Sequence, residues 1–294
     1  TVTVGSNGVG MYASNSNVML SNLTMNLNGN NAVGYYIDGN NSSFSGTGTV
    51  NISGQNIVLF NINSTSPTID FSGITLGTEA PGSSYILGNL TNAKIIYNSA
   101  ANLKSNGILF NGLNTNIVLG SSSNVTAAPG STGVAAIVSD GQYAGGSPYT
   151  PGIDAQNNGT IILGDGSVGL YGINGARLEN TNIITIGNTG LGVSSSDAGS
   201  LIKNSGIITV GNGSQGMYLK DGLTVENSGT IQSTGASSLG IYADNIISPI
   251  TNTSTGVIDL SGDKSIGIYT TGASAEIINN DGIIKIGNSS DVNN

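Results

Sequence analysis

The chain contains no cysteine, no histidine and no tryptophan. Without cysteine there is no disulfide and no thiolate metal site, a composition suited to a protein that stays unfolded during export. Without histidine the commonest general base and metal ligand is missing, and so are nucleophilic triads of the usual kind. Charge is scarce as well: 8% of residues are charged and 5% are aromatic. Seven basic residues against sixteen acidic ones give a net charge of −9. With no basic patch, nucleic acid is not an expected partner, and the acidity serves solubility. No apolar run approaches the roughly 18 residues of a membrane helix, so no membrane insertion by this segment is expected. No signal peptide opens the chain and residue 1 falls in mid-repeat, which reads as a segment of something longer.

Small turn-forming residues fill the space that charge leaves. Glycine supplies 46 of 294 residues, and asparagine, serine and threonine are abundant. The 37% of apolar residues, rich in isoleucine and valine, can still bury a core, so disorder is excluded. β-branched residues alternating with turn formers predict many short strands.

The chain repeats. Glycine, an apolar residue and tyrosine recur at Gly10-Met11-Tyr12, Gly34-Tyr35-Tyr36, Gly169-Leu170-Tyr171, Gly216-Met217-Tyr218, Gly240-Ile241-Tyr242 and Gly267-Ile268-Tyr269, with a weaker copy at Gly192-Val193-Ser194. From Gly169 the steps are 23, 24, 24 and 27 residues. A second marker includes Gly206-Ile207-Ile208-Thr209-Val210 and Gly256-Val257-Ile258-Asp259-Leu260. Its third position is isoleucine in six copies and its neighbours alternate polar and apolar, the period of a strand with one buried face. Asp259 and Lys285 are therefore expected in solvent, Ile258 and Ile284 in the core. A third marker, apolar-charged-Asn, occurs at Leu178-Glu179-Asn180, Ile202-Lys203-Asn204 and Val225-Glu226-Asn227. Ile250-Thr251-Asn252 and Ile278-Asn279-Asn280 keep its ends.

Three short strands in about 24 residues make one coil of a parallel β-helix. The expectation is an all-β solenoid over residues 1–294, single-stranded and right-handed by the crossover preference. Eleven or so coils at about 4.8 Å each give a rod of roughly 50 Å. In the first half Ile69-Asp70-Phe71, Ile95-Ile96-Tyr97 and Ile117-Val118-Leu119 read as degenerate copies of the isoleucine strand. Gly107-Ile108-Leu109 and Gly133-Val134-Ala135 read as degenerate glycine markers. The step from Gly133 to Gly169 is 36 residues, and the excess falls at 139–152, a Pro- and Gly-rich stretch read as a loop thrown out from the rod.

Candidate sites follow from that frame. Gly164–Gly169 and Gly211–Gly216 fit GxGxxG, but a strand follows each where a dinucleotide fold needs a helix, so they read as turns and no cofactor is expected. Asn180, Asn204, Asn227 and Asn280, with Asn157 as a fifth, are expected to stack as a structural ladder of amides. Tyr171, Tyr218, Tyr242 and Tyr269 are expected to stack too; turned outward they would form a stripe for sugar or protein. Glu179, Lys203 and Glu226 alternate in sign at one position and read as a solvated edge. The calcium repeat GGxGxD is absent, no metal site is expected, and no outward position collects the stacked carboxylates that glycoside hydrolysis needs. The loop carries Asp140, Gln142, Tyr143 and Tyr149, a mixture common on recognition surfaces, and these are the candidate binding residues.

The run Asn204-Ser205-Gly206-Ile207-Ile208-Thr209-Val210-Gly211, followed by Ser214-Gln215-Gly216-Met217-Tyr218, resembles the passenger repeats of type V autotransporters, and the large fusobacterial outer-membrane adhesins of the RadD-like type in particular. The resemblance covers most of 155–294 well and 1–154 loosely. It implies an extracellular location at the bacterial surface, anchoring through a C-terminal membrane barrel, and adhesion to host cells or other bacteria through a surface protein or glycan. A monomeric, non-enzymatic rod is expected, with a secreted polysaccharide-active enzyme and a pure spacer as the alternatives.

Overall fold

The computed structural model describes residues 1–39, 42–64, 73–143, 152–272 and 277–288, and the chain winds into a parallel β-solenoid of about 11 turns, each of roughly 25 residues. Every strand pairing among the described residues is parallel and joins one turn to the next. Three faces run along the rod. The tyrosine sheet is continuous over eleven strands, from Val9–Ser14 to Ile266–Thr271. An eight-stranded isoleucine sheet runs from Ala100–Leu103 to Ile283–Ile286, and an eight-stranded asparagine sheet from Lys94–Tyr97 to Ile278–Asn280.

The isoleucine marker stacks as its alternation requires. Val125, Ile161, Ile184, Ile208, Ile231, Ile258 and Ile284 lie in register, and all but the last are buried. Each side chain is covered by its neighbours in adjacent turns and, from Ile184 on, across the coil by the glycine of the tyrosine marker in its own turn. Ile284, in the last turn described, is 37% exposed, so the expectation that it is buried fails at that end of the stack. Asp259 and Lys285 face outward side by side, 3.6 Å apart.

The glycine of the tyrosine marker answers a close approach. A Cβ on Gly216 would lie 2.7 Å from the Gly240 carbonyl oxygen and 2.5 Å from Ile231 Cγ2. Gly192 and Gly240 meet the next turn's carbonyl in the same way. The strand turns two successive residues inward here, and the first must be small or displace its neighbour. In the middle of the rod Leu59, Leu87, Leu109 and Ala136 take that place, set by the register of the residues around them.

The degenerate copies read from the first half need correction. Gly107 lies two residues before the glycine position and Gly133 is a turn residue with φ 67°, so the true marker copies are Leu109-Phe110-Asn111 and Ala136-Ile137-Val138. Ile95-Ile96-Tyr97 and Ile117-Val118-Leu119 belong to the asparagine sheet. The isoleucine-sheet strands of those turns are Ala100–Leu103 and Asn124–Ala127. Period two identifies a strand with a buried side, but two faces of one coil share that period. Ile69-Asp70-Phe71 lies outside the described residues.

Toward the N-terminus two faces merge. Asn17–Leu27 and Ser43–Ile52 are single long strands of 11 and 10 residues, with a register shift between Leu20 and Leu23. Val2–Val4, these two and Ile74–Glu79 form a separate four-stranded sheet. Its inner face buries Met25, Leu27, Val50 and Ile52, and its Phe44 meets edge-on both Tyr35 and Phe60 of the tyrosine sheet, which stack at 4.8 Å.

Candidate functional site

Two surface features stand apart from the repeat, the face of the tyrosine sheet and the base of the 139–152 excursion. On the tyrosine sheet the outward position of each marker falls in one column. In chain order it holds Tyr12, Tyr36, Asn61, Asn89, Asn111, Val138, Tyr171, Ser194, Tyr218, Tyr242 and Tyr269. Tyr12 is 62% exposed, Tyr171 and Tyr269 are exposed, and Tyr36, Tyr218 and Tyr242 are partly so. The rings run up the rod at the pitch of the coils. Tyr218 and Tyr242 have centroids 4.9 Å apart, Tyr242 and Tyr269 5.1 Å, each tilted by 40–50°. Partial burial first, then the neighbouring Tyr242, Asp244 and Asp221, raises the Tyr218 hydroxyl above its ordinary pKa, so it is neutral and able to donate a hydrogen bond.

Between the tyrosine blocks the column turns polar. Asn111 donates to Asn89 at 2.9 Å and Asn89 to Asn61 at 2.8 Å. Beside the tyrosines runs a second outward column, with Val168, Leu191, Gln215, Leu239 and Ile266 in register. The face therefore offers flat aromatic and aliphatic surface edged by phenol hydroxyls. Nothing in the fold requires tyrosine there, since Asn61, Asn89, Asn111 and Ser194 occupy the same column.

The excursion begins later than its composition suggests, because Ser139 and Asp140 close the strand Ala135–Asp140. Asp140 accepts a hydrogen bond from Asn174 Nδ2 at 2.7 Å. Gln142 Nε2 donates to the carbonyls of Gly175 and Gly199, one and two turns further on. The Tyr143 N–H donates to Asp154 Oδ1 at 2.8 Å, and Tyr149 lies outside the described residues. Three of the four candidate binding residues thus tie the loop base to the rod, through a side chain in two cases and the backbone in the third.

The centre of that base is a pair the sequence did not disclose. Asp154 is fully buried and accepts from Arg177 Nε, Nη2 and backbone N–H, each within 2.9 Å. Arg177 is the chain's only arginine. The hydrogen bonds to Asp154 raise its pKa further, so the guanidinium is permanently charged. Beside the pair a shallow groove of about 420 Å³ opens between Gln142, Arg177, Glu179, Leu201 and Lys203. Glu179, Lys203 and Glu226 do stack, but Glu179 accepts from Gln156 at 2.7 Å while Lys203 pairs with Glu226 at 3.9 Å.

No family model, curated protein or solved structure matches the chain. Function must therefore be read from the chemistry of the surface, since a solenoid frame hosts many roles. Among the described residues no group of three or more Asp or Glu side chains is placed to hold a metal ion, and no helix is long and apolar enough to cross a membrane.

The amide ladder is structural and longer than expected. Asn157, Asn180, Asn204, Asn227 and Asn252 each pass a side-chain N–H to the side-chain carbonyl of the next member at 2.7–2.9 Å, and Asn280 accepts the last of these bonds. Asn252 is the member that links Asn227 to Asn280. Asn180, Asn204 and Asn227 also donate to the carbonyl two residues on, closing the turn behind the strand. Where Tyr97 stands in this column, its hydroxyl donates to the Ala100 carbonyl instead, and burial pushes its pKa up to about 12. The GxGxxG turns carry positive φ at Gly166 and Gly213, as turns do.

Proposed function

We propose that this chain is a rod-like segment of a bacterial cell-surface adhesin, binding a host-cell or bacterial surface protein or glycan through the tyrosine face of the solenoid. The observation that carries this is the outward tyrosine column, held in register on a sheet whose fold does not require it. Tyrosine offers a large apolar body with a hydrogen-bonding tip and little rotamer entropy to lose, which suits both sugar rings and protein surfaces. Spaced by single coils, the rings would act together, so weak contacts to a repetitive ligand would add along the rod. The loop base, pinned by Asp154 and Arg177, supports a second contact on a rigid platform.

The test replaces Tyr218, Tyr242 and Tyr269 together with serine, the residue already present at 194 in the same column. Binding is measured on glycan arrays, on immobilised surface proteins and on whole cells. A loss of about tenfold or more in affinity is the expected result. Unchanged binding, with the fold intact by circular dichroism, would remove the tyrosine face from the proposal. If deletion of 144–151 then also leaves binding unchanged, the segment is a spacer. New reducing ends released from polysaccharide would favour the enzymatic alternative.

A further inference from the structure

Among the described residues the stack opens on one side between two successive turns. Strands Tyr85–Thr91 and Gly107–Leu113, in successive turns of the tyrosine sheet, pair over their full length. On the opposite side of the same two turns, Ile74–Glu79 ends the four-stranded sheet and Ala100–Leu103 begins the eight-stranded one, with no ladder between these two strands among the described residues. A register shift between Val50 and Ile52, where Ile52 pairs with Glu79, bends the first of these strands away. The two strand rims instead border a cleft of about 360 Å³, with Thr75 and Leu76 on one side, Ala101 and Asn102 on the other, and Leu87 and Tyr97 in its floor.

Glu79 points into this cleft. Its side chain is only 4% exposed, and its Oε1 has no hydrogen-bond partner. Lys104 Nζ stands 3.7 Å away, an ion pair but too long for a hydrogen bond. Burial raises the Glu79 carboxyl above its ordinary range, against the pull of Lys104. A buried carboxylate oxygen with a free lone pair calls for a donor. Two unpaired parallel-strand rims call for backbone N–H and C=O groups. Sugar hydroxyls can meet the carboxylate, but an extended peptide repeats the alternating N–H and C=O spacing of the two rims and satisfies both.

We propose that the cleft between Ile74–Glu79 and Ala100–Leu103 docks an extended peptide by strand addition, with a lysine or arginine side chain of that peptide turned onto Glu79. Main-chain pairing supplies the affinity and the carboxylate supplies the preference for a basic residue. This site is independent of the tyrosine face, and either can fail without the other.

The experiment uses the 294-residue chain and fluorescence anisotropy with a labelled hexapeptide, Ser-Thr-Val-Lys-Val-Ser. Its controls are the same peptide with Glu for Lys, a backbone N-methylated form, and a labelled cello-oligosaccharide. The lysine peptide is expected to bind saturably, with both control peptides about tenfold weaker. Glu79→Gln should weaken the lysine peptide by a similar factor and strengthen the glutamate peptide, so that the preference between them is lost. Ala100→Trp, at the exposed lip of the cleft, should block binding. If that variant does not fold, slowed hydrogen exchange of the amides in 74–79 and 100–103 on adding peptide serves instead. Absence of saturable binding, equal binding of the N-methylated peptide, or a preference for the oligosaccharide would overturn the proposal.

Discussion

Individual residues in this chain are chosen by what the adjacent turn will tolerate. An asparagine in the internal ladder serves two turns at once, accepting from the one before and donating to the one after. Replacing Asn204 by alanine leaves an Asn180 N–H and the Asn227 carbonyl short of a partner. The expected cost is about 2–4 kcal/mol, read from urea unfolding. Glu79 is the opposite case, a residue that costs stability. Its carboxyl is raised in the fold, so the folded state holds its proton to higher pH than the unfolded chain does. Stability contributed by that proton is present below the ordinary carboxylate pKa and is lost as pH rises through the folded value. Glu79→Gln should therefore raise the melting temperature at neutral pH and reduce the fall in stability above the acid range. A lower melting temperature at pH 7 would show that the Lys104 pair outweighs burial.

At the scale of elements, what distinguishes the turns is which strand edges are closed. The tyrosine sheet is unbroken, while the other faces merge in the first three turns and part at Ile74–Glu79. The strand Ala155–Asn157 resumes the asparagine sheet after the excursion, and Asp154 immediately before it locks its start to Arg177. Arg177→Leu removes the partner of a fully buried carboxylate. Such a loss costs about 3 kcal/mol or more, and here it should also free the Tyr143 end of the loop. Limited proteolysis should then cut within 141–152 well before the rest of the rod; equal resistance of variant and parent would show that Asp140 and Gln142 hold the base without Arg177.

The whole molecule is close to one-dimensional. Each turn buries its apolar residues against the turns on either side, so stability is nearly a sum over neighbours. The same geometry makes any outward column a line of repeated contacts at the coil pitch. Single serine substitutions at Tyr218, Tyr242 or Tyr269 should each weaken binding modestly and the triple variant most. A single dominant tyrosine would instead mark a local pocket. The isoleucine period, the glycine-tyrosine spacing and the apolar-Asn pairs were legible as a parallel solenoid, because a residue that recurs every turn stacks on its counterparts in the turns on either side. The first half was less legible: Tyr97 and Leu119 stand where the asparagines should be, and alternation alone does not say which face a strand joins.

The coil, its register over 155–286, and the inward and outward sides of its strands can be read from the residues alone, since they follow from a period that one-dimensional stacking enforces. Three-dimensional packing is what turns the tyrosines to water in one column, brings Asp154 to Arg177 23 residues away, and opens the stack beside Glu79. These depend on bends, register shifts and single side chains that occur once, and a feature that occurs once leaves no period to read.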